Sequence, residues 1–139
     1  MRHAAVLFGA LVLAACGTAP VPRSDSEAVS PVVVEFLLTS AATDFHARRP
    51  PDPARFRNLR IGHVKTPSGG AQYMLCGQFL PALDAGHAEW TAFVTIKTSG
   101  YEQYLGAQAA TSYCQGPSVV WDTEGDLATA LQRRFDSLR

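Results

Sequence analysis

The first long apolar pattern after residue 29 predicts an amphipathic helix. Ser30 followed by Pro31 suits a helix start, because a hydroxyl can cap free N–H groups and proline fits the first turn. Arg48-Arg49 and Pro50-Pro51 suit its end, where cations meet the negative pole and proline stops the helix. A strand is the alternative, since residues 32–34 are β-branched valines. The predicted apolar face contains Val33, Val34, Leu37, Leu38, Ala41 and Phe45.

A β-hairpin is predicted next. Phe56 to Lys65 and Gln72 to Leu80 both have the composition of strands. The segment Thr66–Gly70 between them is rich in Gly, Pro and Ser and therefore predicts a turn. One face of the second strand would carry Tyr73, Leu75 and Phe79.

The clearest alternation along the chain runs from Trp90 to Thr98. Threonine and lysine mostly occupy one side of this predicted strand, and large apolar residues occupy the other. Two shorter strands are predicted at Tyr101–Leu105 and Ser118–Trp121. The apolar side of the longer strand would be formed by Trp90, Ala92, Val94 and Ile96.

The last segment predicts a second amphipathic helix. Thr123 with Asp126 three residues later is an acidic variant of the capping box. The expected fold is therefore α+β: an N-terminal helix, a mostly antiparallel sheet of three to five strands, and a C-terminal helix. One face of such a sheet needs cover, which two amphipathic helices can supply. The apolar face of the second helix would be Leu127, Ala130, Leu131, Phe135 and Leu138.

Composition and charge narrow the class of protein. The chain has 139 residues and a formal net charge of zero, and we expect one globular domain at residues 30–139. Nucleic acid is not an expected partner, because domains that bind it are usually strongly basic. The sequence has no phosphate loop, dinucleotide fingerprint, nucleophile elbow or zinc-binding helix. It therefore predicts no cofactor and no metal.

Residues 1–15 have the order of a secretion signal. Arg2 and His3 give a short basic start, an apolar run follows, and small residues precede a cysteine. The apolar run is about 12 residues, shorter than the roughly 20 that cross a bilayer. The segment Leu13-Ala14-Ala15-Cys16 resembles the lipobox of bacterial lipoproteins. That resemblance implies that residues 1–15 are a lipoprotein signal peptide and that the thiol of Cys16 carries the lipid.

The lipoprotein resemblance also implies a location. Gly17, rather than Asp, after the cysteine favours sorting to the outer membrane, with the domain facing the periplasm. The inner membrane and the cell surface remain open as alternatives. Residues 16–29 would be the lipidated N-terminus and a flexible tether, which reaches at most about 45 Å when extended. The membrane would then be a partner through the lipid on Cys16.

Cys76 and Cys114 remain as a pair once Cys16 carries lipid. Two cysteines in an exported domain favour a disulfide, with two unpaired buried thiols as the alternative. A third possibility is a peptidoglycan-acting enzyme that uses Cys76 with His63 or His87. Such nucleophiles usually lie at a helix start, whereas Cys76 lies in a predicted strand.

A run of basic residues supplies a candidate binding surface. Between residues 48 and 65 only Asp52 is acidic. An anionic lipid, a glycan phosphate or an acidic partner would suit such a surface. The alternative is a solvated strand face, since the arginine at position 57 alternates with apolar Phe56. The candidate surface consists of Arg55, Arg57, Arg60 and Trp90.

Two stretches of the domain resemble exported proteins. Asp52–Asn58, followed by Tyr73 and Cys76-Gly77, resembles a group of small, mostly uncharacterised exported proteobacterial proteins. This resemblance implies a similar domain of helices and a sheet, and it implies no particular activity. Ser68–Tyr73 resembles a loop of the membrane-bound inhibitors of c-type lysozyme, which are β-barrel lipoproteins, so the predicted helices depart from that fold.

These observations lead to one prediction of function and two alternatives. The leading prediction is a non-enzymatic lipoprotein of the bacterial cell envelope that acts as a binding or assembly module. Its partner would be an envelope protein or a cell-wall component. The alternatives are an inhibitor of a lysozyme-type cell-wall hydrolase and a peptidoglycan-acting enzyme that uses Cys76.

Overall fold

A computed structural model describes residues 28–48, 52–82 and 86–139 of the chain. The predicted α+β class is confirmed, with an N-terminal helix, an antiparallel sheet and a C-terminal helix. One further helix lies between the last two strands. In chain order the elements are α1 (Pro31–Ala47), β1 (Pro53–Lys65), β2 (Ala71–Pro81), β3 (Thr91–Lys97), β4 (Tyr101–Leu105), α2 (Ala107–Cys114), β5 (Val120–Trp121) and α3 (Ala128–Asp136).

The start of α1 follows the local sequence. Ser30 is the N-cap, and its hydroxyl accepts a hydrogen bond from the Val32 N–H at 3.3 Å. Pro31 occupies the first turn, where its missing N–H costs nothing. The predicted apolar face is buried at its centre and C-terminal end, at Leu37, Leu38, Ala41 and Phe45. The predicted helix is therefore confirmed, and the strand alternative is wrong.

The five strands form one antiparallel sheet in the order β4-β3-β2-β1-β5. The predicted hairpin is β1 and β2, which pair from Lys65 opposite Ala71 outward. The register of β1 against β2 shifts between Arg57 and Arg60. Asn58 lies within this irregular stretch and has a positive φ of 56°, so β1 contains a β-bulge there.

One face of the sheet, the α1/α3 face, carries the larger core. Phe45 of α1 lies with its ring centroid 5.0 Å from the rings of both Phe79 and Phe93. Leu131 and Phe135 of α3 complete this core. The two predicted helices therefore do cover one face of the sheet. Phe93, which the predicted apolar side of its strand left out, is fully buried here.

The opposite face, the α2 face, is also covered in part. Met74, Cys76, Val94 and Ile96 form a second, smaller core on it. Helix α2, which the sequence pattern did not predict, packs against this core. The disulfide between Cys76 of β2 and Cys114 of α2 is present, with a Cα–Cα distance of 6.2 Å. The predicted cysteine pairing is thus confirmed.

The start of α3 differs from the prediction. Leu127 is at the N-cap, and Thr123 does not cap the helix. Its hydroxyl instead accepts a hydrogen bond from the Ile61 N–H of β1 at 2.9 Å. The capping-box prediction was wrong because strand β1 takes the Thr123 oxygen. Leu138, predicted on the apolar face, is 40% exposed.

In the part of the chain that the structure describes, no helix has the length and apolar character needed to cross a bilayer.

Candidate binding site

The α2 face brings two of the predicted arginines to the predicted tryptophan. The Cζ atom of Arg57 lies 4.0 Å from the centroid of the Trp90 ring. The Cζ atom of Arg55 lies 6.0 Å from the same centroid, at the limit of a cation–π contact. Trp90 directly precedes β3, and Arg57 lies on β1 two strands away, so only the folded sheet places them together.

The third predicted arginine meets a different tryptophan. The Cζ atom of Arg60 lies 4.1 Å from the centroid of the Trp121 ring. Trp121 lies on β5, which pairs with β1 opposite Gly62. Trp121 is not among the residues of the predicted surface, because an aromatic residue of this kind is more often part of a core. An aromatic residue in a short strand, far along the chain from the basic run, gave no signal of this contact.

The bulge in β1 sets Arg57 and Arg60 on the same face. Side chains three apart on a regular strand point to opposite faces. Here Arg57 pairs with Gln78 and Arg60 pairs with Cys76, so three steps along β1 match two steps along β2. Because Gln78 and Cys76 share one face of β2, both arginines lie on the α2 face. We call Arg57, Arg60, Trp90 and Trp121 the Arg/Trp cluster.

Asp126 stabilises this bulge from the chain before α3. Its Oδ2 accepts the Asn58 N–H at 2.8 Å, and its Oδ1 accepts the N–H groups of Leu59 at 2.8 Å and Ala128 at 2.9 Å. Desolvation of the carboxylate acts to raise its pKa, but these backbone hydrogen bonds outweigh it and the pKa of Asp126 is lowered. An ionised carboxylate thus satisfies the N–H groups that the irregular β1 ladder leaves free.

Side-chain amides lie beside the arginines. The Oε1 atom of Gln78 accepts hydrogen bonds from Arg57 Nε at 2.8 Å and from Asn58 Nδ2 at 3.4 Å. Its amide oxygen is therefore occupied, while the NH2 group of Gln78 and the terminal guanidinium nitrogens of Arg57 have no acceptor among the described residues. Arg60 contacts the Trp121 ring and has no hydrogen-bond acceptor in the same part of the chain.

A pocket of about 220 Å³ opens between Asn58, Arg60, Gln78 and α2, whereas Arg57 and Trp90 do not line it. A second cavity of about 500 Å³ adjoins it and is lined by Asn58, Arg60, Gly125 and Asp126. The disulfide lies in the wall of the first pocket and fixes the end of α2 beside it. The first pocket is lined by Asn58, Arg60, Cys76, Gly77, Gln78, Ala92, Phe93, Ala110, Cys114, Gln115 and Trp121.

The charge of the cluster is not neutralised by carboxylates. None of the ion pairs within residues 28–48, 52–82 and 86–139 includes an arginine of the cluster. Among the described residues, no acid lines the first pocket; Asp126 lines the adjoining cavity, and backbone N–H groups already occupy its oxygens. The ion pairs that do form are Arg48–Asp44, His63–Asp122, Arg134–Glu35 and Arg139–Asp52.

The His63–Asp122 pair holds the strand that carries Trp121. His63 Nδ1 lies 2.7 Å from Asp122 Oδ2, and the Asp122 side chain is only 7% exposed. The Asp122 N–H also donates to the Ile61 carbonyl at 2.8 Å. A cavity of about 610 Å³ borders this pair. These contacts fix β5 against β1 and so keep the Trp121 ring over Arg60.

Two further features bear on the other predictions. A larger, mostly apolar groove of about 810 Å³ lies along α1 beside Gly100 and Tyr101, and none of the predicted site residues lines it. Among the described residues, no three or more His, Cys, Asp or Glu side chains are grouped to hold a metal ion. Cys16, with the whole signal and tether, lies outside the described residues.

Comparison with known protein families, with curated proteins and with solved structures found no match to this chain.

Proposed function

We propose that this chain is a non-enzymatic lipoprotein of the bacterial cell envelope whose domain acts as a binding or assembly module. The lipobox-like segment Leu13–Cys16 supports a lipid anchor, and Gly17 supports an outer-membrane location with the domain facing the periplasm. The membrane is then bound through the lipid on Cys16. The second partner is an envelope protein or a cell-wall component.

The observation that carries the binding role is the Arg/Trp cluster. Tryptophan and arginine are the residue types that contribute most of the free energy at many interfaces. Here Arg57 and Arg60 each lie on a tryptophan ring, beside a pocket, without an acidic partner among the described residues. This arrangement favours a role in recognition.

Photo-crosslinking in cells of the source bacterium tests the binding role. A photoreactive amino acid replaces Arg55, which is exposed and lies close to Trp90 without being needed for the Arg57 contact. We expect a discrete crosslinked envelope component that disappears in the Arg57→Gln background. The same probe at exposed Arg133 of α3 is the matched control. Equal crosslinking at both positions, or none at position 55, would contradict the proposal.

The lipid anchor and the absence of catalysis have their own tests. Metabolic labelling with an alkyne-bearing palmitate should mark the chain, and Cys16→Ser should remove the label and release a folded domain. Incubation of that domain with purified sacculi should release no muropeptides. Muropeptide release would refute the non-enzymatic role. A loss of c-type lysozyme activity on addition of the domain would instead support the inhibitor alternative.

The alternative of a Cys76 nucleophile meets a chemical difficulty. The thiolate is the reactive form of cysteine, and Cys76 is bonded to Cys114. While this bond is intact, no thiolate exists at position 76. The binding role therefore has the better support.

A further inference from the structure

We propose that the pocket beside the Arg/Trp cluster binds an oxyanion, a phosphate in particular, on a small ligand. This inference rests on the proposed binding role of the same face and names the chemistry that it recognises. Arg60, which lines the pocket, would contact the anion directly, and the amide groups of Gln78 and Asn58 would complete its shell. Arg57, which donates to Gln78, would add positive charge beside the pocket.

The hydrogen-bonding character of the site sets the first requirement for a ligand. Gln78 Oε1, an acceptor in the pocket wall, is already shared by Arg57 Nε and Asn58 Nδ2. The pocket lining supplies charged N–H donors from Arg60 and neutral NH2 donors from the amides of Gln78 and Gln115. A ligand that satisfies them must present several acceptor oxygens in a small volume. Phosphate and carboxylate groups meet this requirement and also complement the guanidinium charge, whereas the hydroxyl oxygens of a neutral sugar carry no such charge.

The charge of the site sets the second requirement. Two permanently charged guanidinium ions lie on one face, and no carboxylate of the described residues pairs with either. The carboxylate of Asp126 lines the neighbouring cavity, but its oxygens accept three backbone N–H groups. Anions are therefore attracted to the guanidinium groups, and the backbone N–H groups that Asp126 accepts offset part of the repulsion from its carboxylate.

The two tryptophans also restrict the orientation of the guanidinium groups. Stacking against Trp90 and Trp121 restricts the two guanidinium groups, so little conformational entropy is lost when an anion binds. Fixed guanidinium groups are suited to bidentate contacts with phosphate oxygens. Lysine at the same positions would keep the charge but would lose this two-point contact.

The dimensions of the pocket fit a charged group better than a whole ligand. Its volume of about 220 Å³ is below the usual range for drug-sized molecules, roughly 300–1,000 Å³. The adjoining cavity shares Asn58 and Arg60 with it and ends at Gly125 and Asp126. We infer that the oxyanion enters the first pocket and that the rest of the ligand extends into the second.

Intrinsic fluorescence gives a direct test, because the 2 tryptophans of the chain are the two in the cluster. The Cys16→Ser domain is titrated in phosphate-free buffer with inorganic phosphate and with glycerol phosphate, and with chloride at matched ionic strength. We expect a saturable fluorescence change with both phosphates and none with chloride. Arg60→Gln should weaken phosphate binding at least tenfold and Arg60→Lys by an intermediate factor. Arg133→Gln on α3 should leave it unchanged.

Several outcomes would overturn this inference. One is the same fluorescence change with chloride, and another is equal phosphate affinity in Arg60→Gln and Arg133→Gln. Binding to vesicles of phosphatidylglycerol without any binding of glycerol phosphate would assign the face to a bilayer surface rather than to the pocket. Arg60 is exposed, so its variants should fold, which circular dichroism checks. If phosphate does not bind but crosslinking at position 55 still depends on Arg57, the proposed binding role keeps its support and only the proposed ligand class is wrong.

Discussion

The side chain of Asp126 accepts a hydrogen bond from the backbone N–H of Asn58, which lies 68 residues earlier in the chain, and its Oδ2 is 2.8 Å from the Asn58 nitrogen. The same carboxylate accepts the Leu59 N–H at 2.8 Å. These hydrogen bonds hold the β1 bulge, and the bulge places Arg57 and Arg60 on one face. A residue outside the Arg/Trp cluster therefore helps to determine the geometry of that cluster.

Asp126→Asn should destabilise the domain and weaken the binding site together. An amide has one acceptor oxygen and no charge, and its NH2 group would oppose the backbone N–H groups. Loss of a helix cap or of a hydrogen bond to a charged group costs about 1–2 kcal/mol. Urea unfolding should report this loss, and phosphate titration should report weaker binding. Glu124→Gln removes an exposed acid nearby as the control, and an equal effect of both changes would argue against the role of Asp126.

The stability of the domain should fall in acid through the same residue. The folded state lowers the pKa of Asp126 below its ordinary value of 3.8. Such a group stabilises the fold above its unfolded pKa, and this contribution is lost as the pH falls through the lowered folded pKa. The stability difference between the wild type and Asp126→Asn should therefore be full at neutral pH and shrink below about pH 4. A difference that is constant with pH would contradict this linkage.

Acidification should change the contribution of Asp44 to the stability of the domain in the opposite sense. It is buried on α1, and desolvation raises its pKa despite the Arg48 guanidinium 3.0 Å away and a hydrogen bond from Tyr101. A raised carboxylate pKa means that ionisation opposes folding, so protonation just above pH 3.8 adds stability. Asp44→Asn should cost less at pH 7 than Asp126→Asn, as measured by urea unfolding. A larger cost for Asp44→Asn would show that its ion pair outweighs its burial.

Reduction of the Cys76–Cys114 bond should destabilise the domain and release α2. The bond joins residues 38 apart, for which the chain-entropy treatment gives about 4 kcal/mol. Helix α2 has no fully buried residue; it packs on the smaller core through Ala109 and Cys114, and the disulfide attaches it covalently to the sheet. Urea midpoints with and without dithiothreitol should differ, and circular dichroism should lose helical signal. The double variant Cys76→Ala, Cys114→Ala serves as the reductant-insensitive control, and an unchanged wild-type midpoint would exclude the predicted stabilisation.

Gly62→Ala should displace β5. A Cβ atom at position 62 would lie 2.8 Å from the Val120 carbonyl oxygen and 2.9 Å from Trp121 Cε3. A backbone atom cannot rotate away, so β5 must shift, at a cost of about 1–3 kcal/mol typical of overpacking. Urea unfolding and a shifted tryptophan emission should both report it. Gly100→Ala, where an added Cβ meets nothing within 4 Å, is the matched control and should leave both unchanged.

Several elements of the fold were predictable because their signals are local. The start of α1 depends on Ser30 and Pro31, which are neighbours in sequence, and its face depends on the 3.6-residue period. The hairpin of β1 and β2 depends on two alternating segments with a short turn between them. By contrast, α2 is short, rich in alanine and without a buried face, so its packing has no periodic signature.

The features that the sequence pattern predicted wrongly or missed also have a physical explanation. Thr123 and Asp126 have the right spacing for a capping box, but their oxygens accept N–H groups of β1 more than 60 residues away in sequence. A local pattern cannot reveal a competing partner that only the folded chain supplies. The same holds for the Arg60–Trp121 contact, which needs β5 to lie beside β1.

The sequence by itself determined the α+β class, the order of the main elements, the cysteine pair and three of the four members of the Arg/Trp cluster. It also carries the lipobox-like segment on which the proposed location depends. The tertiary structure decided that Arg57 and Arg60 share a face, that Trp121 contacts Arg60, and that α2 forms part of the wall of the pocket that Arg60 lines. The reason is that periodicity and caps act within a few residues, whereas a one-residue bulge held by Asp126 inverts the side-chain alternation of a strand.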